Sequence, residues 1–112
     1  MSQANSVKLY FILGLIYIGI SLPLYFKRIK PNGLYGFRTS KTLSDPDIWY
    51  RANHVAGFDL AVAGAAIALV SVLSIPLTRI FPKLTIDVIN LFFLLAATAA
   101  ALIHSFWELS KM

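Results

Sequence analysis

Asp59, His104 and Glu108 are titratable side chains set in long apolar runs, and Arg38 with Thr39 sits in the polar stretch between two of those runs. His104 and Glu108 lie one helical turn apart, on one face. An ionised carboxylate at mid-bilayer costs about 2.5–3.5 kcal/mol on insertion scales, so Asp59 is expected to face protein. Placed at similar depth, Asp59, His104 and Glu108 are predicted to form a polar cluster near one membrane boundary. As a functional site such a cluster would sense protons or a ligand, since a histidine near neutrality answers modest environmental change. As structure it would supply interhelical hydrogen bonds and interfacial solvation. Arg38 also has two readings. Its planar guanidinium, beside turn amides, matches the oxygens of a lipid phosphate or of a partner's carboxylate. Equally, it can pair with Asp45 or Asp47 at the start of the next helix and fasten the loop.

For catalysis the inventory is thin. The chain has no cysteine and two histidines, His54 and His104, and lacks H-E-x-x-H, G-x-S-x-G and P-loop patterns. A membrane-interface enzyme could turn Asp59, His104 and Arg38 on a lipid phosphate, but no residue is fixed as its nucleophile. A metal site would draw on His104, Glu108 and Asp59. We read no catalytic residue, no metal ligand and no cofactor from the sequence.

The elements that must position these residues follow from composition. Of 112 residues 58% are hydrophobic and 13% charged, too little polar surface to coat a soluble globule. The expected class is an all-α membrane protein with three transmembrane helices and an extended loop between the first two. The whole chain, residues 1–112, is read as one domain, with spans near 7–26, 57–76 and 86–107 and the loop at 27–56.

The first run, Val7 to Phe26, is long enough at 1.5 Å per residue to cross about 30 Å of hydrocarbon. Its length, its C-terminal basic flank of Lys27, Arg28 and Lys30, and the lack of an A-x-A-like site argue for a retained helix over a signal peptide. The second helix has Ser44 or Asp45 as N-cap, Pro46 at its first position and Asp47 in its first turn. Its pattern runs to Ile75, roughly 45 Å of helix, so its first turns, with Trp49, Arg51 and His54, should project to headgroup depth. At about 100° per residue, Trp49, Ala52, Asn53, Ala56, Gly57, Leu60, Ala63 and Gly64 make one stripe, small enough for close packing, with Asp59 on its flank. The third helix is expected to start at a Thr85 N-cap, after Pro82, and to run past its Ala-rich middle to Trp107, an interfacial anchor. Asp87 and Asn90 are read as helix-start residues at the outer surface. Gly14, Gly19 and the run from Ala96 to Ala101 are read as packing surface.

Six of the ten Lys and Arg fall between Lys27 and Arg51, and Lys111 belongs to the same side; Lys8, Arg79 and Lys83 face them. Seven against three puts the first loop and the C-terminus in the cytoplasm and the N-terminus outside. The formal charge of +5 is then answered by anionic lipid headgroups, with no nucleic acid partner.

The loop carries a specific pattern: Pro31-Asn32-Gly33, Gly36-Phe37-Arg38-Thr39 and Thr42-Leu43, then Trp49, Asn53 and Gly57 along the helix. In this the chain resembles the SdpI family of bacterial membrane proteins over about Tyr25 to Gly64, and in layout beyond. Phe37 stands where Ile is the more usual residue. The resemblance implies a protein of the bacterial plasma membrane whose ligand- or partner-binding residues would be Asn32, Gly36, Arg38, Thr39, Thr42, Trp49, Asn53 and Gly57. It also implies immunity: the family's namesake shields a producing cell from a secreted, membrane-attacking toxin and holds a transcriptional repressor at the membrane. The namesake is longer, and this chain looks like its motif-bearing part. The function expected is toxin immunity or resistance by non-enzymatic binding of a peptide toxin. The alternative is an assembly or transport module that forms homo-oligomers.

Overall fold

The computed structural model describes residues 3–112, with side chains from Ser6 onward. The first two residues, part of the expected external N-terminus, lie outside the described residues. Four α-helices follow in order: α1 (Gln3–Tyr25), the short α2 (Ser40–Ser44), α3 (Pro46–Leu73) and α4 (Lys83–Ser110), with a 3-10 turn at Pro76–Arg79 before α4. Among the described residues there is no strand. The molecule is a rod of 52 × 22 × 18 Å.

Helix ends follow local chemistry. α1 stops in a Schellman motif: the Arg28 amide donates to Pro23 O at 2.9 Å and the Lys27 amide to Leu24 O at 3.1 Å. Lys27 takes φ of 59° there, the left-handed position that glycine usually fills. Asp45 is the N-cap of α3, its Oδ1 accepting from the Asp47 amide at 2.8 Å, and Pro46 supplies the first helical residue. α3 closes at Leu73, ahead of Pro76, which cannot extend the ladder. α4 departs from expectation. Thr85 is not its cap; the helix begins at Lys83 behind an extended Pro82, whose carbonyl receives the Thr85 and Ile86 amides. Pro82 lies in the β region, so the helix can start immediately after it without any side-chain cap.

The three long helices meet on α3. Gly14 of α1 lies against Gly64 and Ala68 of α3, and a methyl added at Gly14 would stand 2.5 Å from Gly64 O. One at Gly57 would stand 2.5 Å from the Tyr25 amide nitrogen. Gly57 and Gly64 lie two turns apart on one face, so α1 and α3 approach backbone to backbone, the packing that small residues permit in lipid. Gly19 does not share in this: a methyl there meets nothing within 4 Å. The alanine run is also less committed than expected, since Ala96, Ala99 and Ala100 are exposed. α4 packs on α3 through its other face, because α3 fills the middle of the bundle.

What remains uncovered is apolar. Phe92 is 62% exposed, Leu95 61%, Leu69 58% and Ile103 70%, a surface that water would not tolerate and lipid favours. All three long helices have the length and composition to cross a membrane. α3, at 28 residues, is roughly 42 Å long, more than the about 30 Å of hydrocarbon that a span has to cross. The chain is an all-α membrane protein.

Candidate functional site

The segment between α1 and α3 is folded back onto the bundle by its own side chains. Asn32 knots the first turn: Nδ2 donates to the carbonyls of Lys30 at 2.7 Å and Tyr35 at 3.0 Å, and Oδ1 accepts from the amides of Leu34 and Tyr35 at 2.8 and 2.7 Å. The Tyr35 hydroxyl donates to Ile20 O of α1. Burial raises the Tyr35 phenol above its usual 10.0. Gly36 then turns with φ of +118°, where an added methyl would lie 2.9 Å from Asn53 Oδ1 and 3.0 Å from the Trp49 ring. Only glycine fits both the torsion and the space.

Trp49 and Asn53, one turn apart on α3, receive the loop. Trp49 is fully buried and its Nε1 donates to Ile29 O at 2.8 Å. Asn53 Oδ1 accepts from the Phe37 amide at 2.6 Å while Nδ2 donates to Trp49 O at 2.9 Å. Next along the chain, Thr39 and Thr42 form a reciprocal capping box at the start of α2. The Lys41 ammonium donates to Leu109 O at 2.9 Å and Phe37 packs edge-on against Phe106 at 4.9 Å, tying the loop to α4. Loop and α4 C-terminus therefore share one end of the bundle.

Seven of the eight motif residues thus shape or pin the loop and its seat on α3: Asn32, Gly36, Thr39, Thr42, Trp49, Asn53 and Gly57, with Gly36 and Thr39 also lining the cleft that Arg38 enters. Arg38 is the exception. Its Nε donates to Asn32 O at 2.8 Å, and the expected pairing with Asp45 or Asp47 is not made. Asp45 is committed to capping α3, and the turn at Gly36 directs Arg38 towards a cleft instead. That cleft, about 410 Å³, opens between α1 and α4, with Leu24 on one wall, Ala56 and Leu60 of α3 behind, Leu102 opposite, and Arg38 at the loop end. Its far end lies at Thr98, whose hydroxyl meets the Tyr17 hydroxyl at 2.8 Å and bridges α4 to α1. The small-residue stripe of α3 lies largely under α1 and the loop, with Ala52, Asn53, Gly57, Ala63 and Gly64 buried, while Ala56 and Leu60 of the same stripe face the cleft.

On the α3–α4 side, the structure brings Asp59, His104 and Glu108 together. His104 Nδ1 is 2.7 Å from Asp59 Oδ2, Ser105 Oγ donates to the same oxygen at 2.8 Å, and His104 Nε2 is 3.7 Å from Glu108 Oε1. Glu108 also meets Lys111, which sits 3.6 Å over the Trp107 ring. A shallow pocket of about 320 Å³ joins this group to Tyr25 and His54, and His54 Nδ1 is 2.6 Å from Tyr25 O. The Ser105 hydroxyl donates to Asp59 and not to His104. Among the described residues no group of three His, Asp or Glu side chains could hold a metal ion.

Ser105, Thr98 and Tyr17 were not singled out by the sequence. Ser105 adjoins His104, a usable cue; the Tyr17 to Thr98 bond joins residues with no local pattern in common. At the opposite end, Asn90 is not an outer-surface residue: it is buried, donating to Ser74 Oγ at 3.2 Å and Ile86 O at 3.0 Å, because α4 begins early enough to carry it against α3. Asp87 is held by Lys83, one turn before it.

A family model described as the SdpI/YfhL protein family matches residues 28–106, from the basic end of α1 through the loop and α3 almost to the end of α4. No curated protein and no solved structure matches the chain.

Proposed function

The chain belongs to the SdpI/YfhL family of membrane proteins, and from that premise we propose that it confers immunity to a membrane-active peptide toxin by non-enzymatic binding. The observation that carries this reading is Arg38. Among the described residues its guanidinium Nη groups have no partner, and they lie at the mouth of a largely apolar cleft that opens sideways between α1 and α4. A toxin dissolved in the bilayer would reach that cleft laterally, place apolar side chains between the helices and present a carboxylate to Arg38.

The basic loop end is read as cytoplasmic, following its excess of Lys and Arg. The test is survival of a sensitive bacterium under the secreted toxin of the namesake system, expressing wild type or Arg38→Ala at equal membrane abundance. Protection by the wild type that the variant loses is expected. Equal protection by both would remove Arg38 from the mechanism, and no protection by well-inserted wild type would remove immunity to that toxin.

A further inference from the structure

The cleft between α1 and α4 has a chemistry independent of any toxin. Its walls are apolar along their length, with Ile20 and Leu24 on α1, Leu60 on α3, and Leu102 and Phe106 on α4. From Thr98 to Ser105 it runs about two turns of α4, roughly 10 Å into the bundle. Its volume, about 410 Å³, falls within the range of about 300–1,000 Å³ usual for small-molecule sites. The hydroxyls on its lining are already bonded within the protein, Thr98 to Tyr17, Ser105 to Asp59 and Tyr35 to Ile20 O, which leaves a polar molecule little to bond to along these walls. A molecule with a hydrocarbon chain at one end and an anion at the other fits both parts.

The charge at the mouth selects the anion. Arg38 is oriented by one bond, from Nε to Asn32 O, which leaves the outer edge of its guanidinium for a ligand. A guanidinium edge offers paired donors to a phosphate. No carboxylate lies within ion-pair distance of Arg38, and Lys27, Arg28, Lys30 and Arg51 at the same end make no ion pair among the described residues either. A headgroup that added its own cation would meet this field unfavourably. One that carries only the phosphate would not.

We propose that the α1–α4 cleft is a binding site for one anionic glycerophospholipid, an acyl chain lying between the helices and the phosphate on Arg38. The proposal goes beyond the toxin reading and can stand or fall without it. A resident lipid completes the lipid-facing surface where α1 and α4 diverge, and it is the species that an incoming amphipathic peptide would have to displace.

The test uses the purified 112-residue chain in detergent with equal amounts of phosphatidylglycerol and phosphatidylcholine of identical acyl chains, read by native mass spectrometry. Wild type is expected to retain one phosphatidylglycerol with a preference on the order of tenfold, because phosphatidylcholine brings its choline cation against Arg38 and its basic neighbours. Arg38→Gln, at an exposed position, should keep the helices intact by circular dichroism and lose the preference. Ala101→Leu, which fills the cleft, should lower retention of both lipids. Equal retention of the two lipids by wild type, a preference that survives Arg38→Gln, or retention unchanged in Ala101→Leu would each overturn the proposal. So would a lipid-free dimer, which would make the cleft an interface between copies. No toxin enters the experiment, so its failure leaves the immunity test untouched.

Discussion

His104 of α4 faces the Asp59 carboxylate of α3 edge-on, its Nδ1 2.9 Å from Oδ1 and 2.7 Å from Oδ2. The carboxylate is nearly buried, while about half of the imidazole side chain is open. Ser105 completes the joint from the next position on α4, so one acidic residue of the middle helix gathers two donors from its neighbour.

That joint should carry measurable stability. Asp59→Ala leaves His104 and Ser105 without their acceptor, and interhelical hydrogen bonds in membranes are worth about 0.6–2 kcal/mol each. The expected loss is about 1–3 kcal/mol in reversible unfolding from mixed micelles, with Asp59→Asn, which keeps one acceptor oxygen, losing less. An alanine variant as stable as wild type would mean that the contact does not hold α3 to α4.

The helical glycines divide into three that packing requires, Gly14, Gly57 and Gly64, and one, Gly19, that it does not. Gly57→Ala forces a methyl to within 2.5 Å of the Tyr25 amide nitrogen, backbone that cannot rotate away. Overpacking of this kind costs about 1–3 kcal/mol, here by parting α1 from α3. Gly19→Ala meets open space and gains up to about 1 kcal/mol of helix propensity. Thermal unfolding of both variants checks the contrast. Equal effects would show that α1 does not approach α3 as described.

The loop should loosen as a unit when its acceptor is removed. Asn53→Ala takes away Oδ1 from the Phe37 amide and opens space beneath Gly36. An unsatisfied buried donor costs about 1–3 kcal/mol. Hydrogen exchange at the Phe37 amide should accelerate by at least on the order of tenfold, with exchange in the middle of α3 unchanged. Wild-type protection at Phe37 in this variant would show that Asn53 does not hold the loop.

The spans were readable in the sequence because each is an apolar run bounded by charge or proline, and the α3 start because Asp45-Pro46-Asp47 is a local signal. Asp59 was legible for a different reason: a carboxylate in an apolar run needs a partner, and His104 with Glu108 was the polar pair at matching depth. The fate of Arg38 was not legible. Two aspartates nearby in sequence suggested an ion pair, yet one of them caps α3, and the backbone turn at Gly36, together with its fit against Asn53 and Trp49, decides where Arg38 goes. Such a choice depends on three-dimensional fit. The same holds for Thr98 and Tyr17, whose bond closes the cleft, and for Asn90, whose burial follows from where α4 starts.

Orientation rests on the charge count and is open to a direct test, because the chain contains no cysteine. Ser40 is exposed at the loop end, and Ile80 is 74% exposed beyond α3 at the other end. With the basic end in the cytoplasm, Ser40→Cys should react with a membrane-impermeant maleimide only after lysis, and Ile80→Cys should react in intact cells. Neither substitution alters a charge, so the Lys and Arg balance that sets the topology is preserved in both. The reverse labelling pattern would put the loop outside. The cleft mouth would then face the outer leaflet, and the immunity reading would gain a surface that a toxin meets before it enters the bilayer.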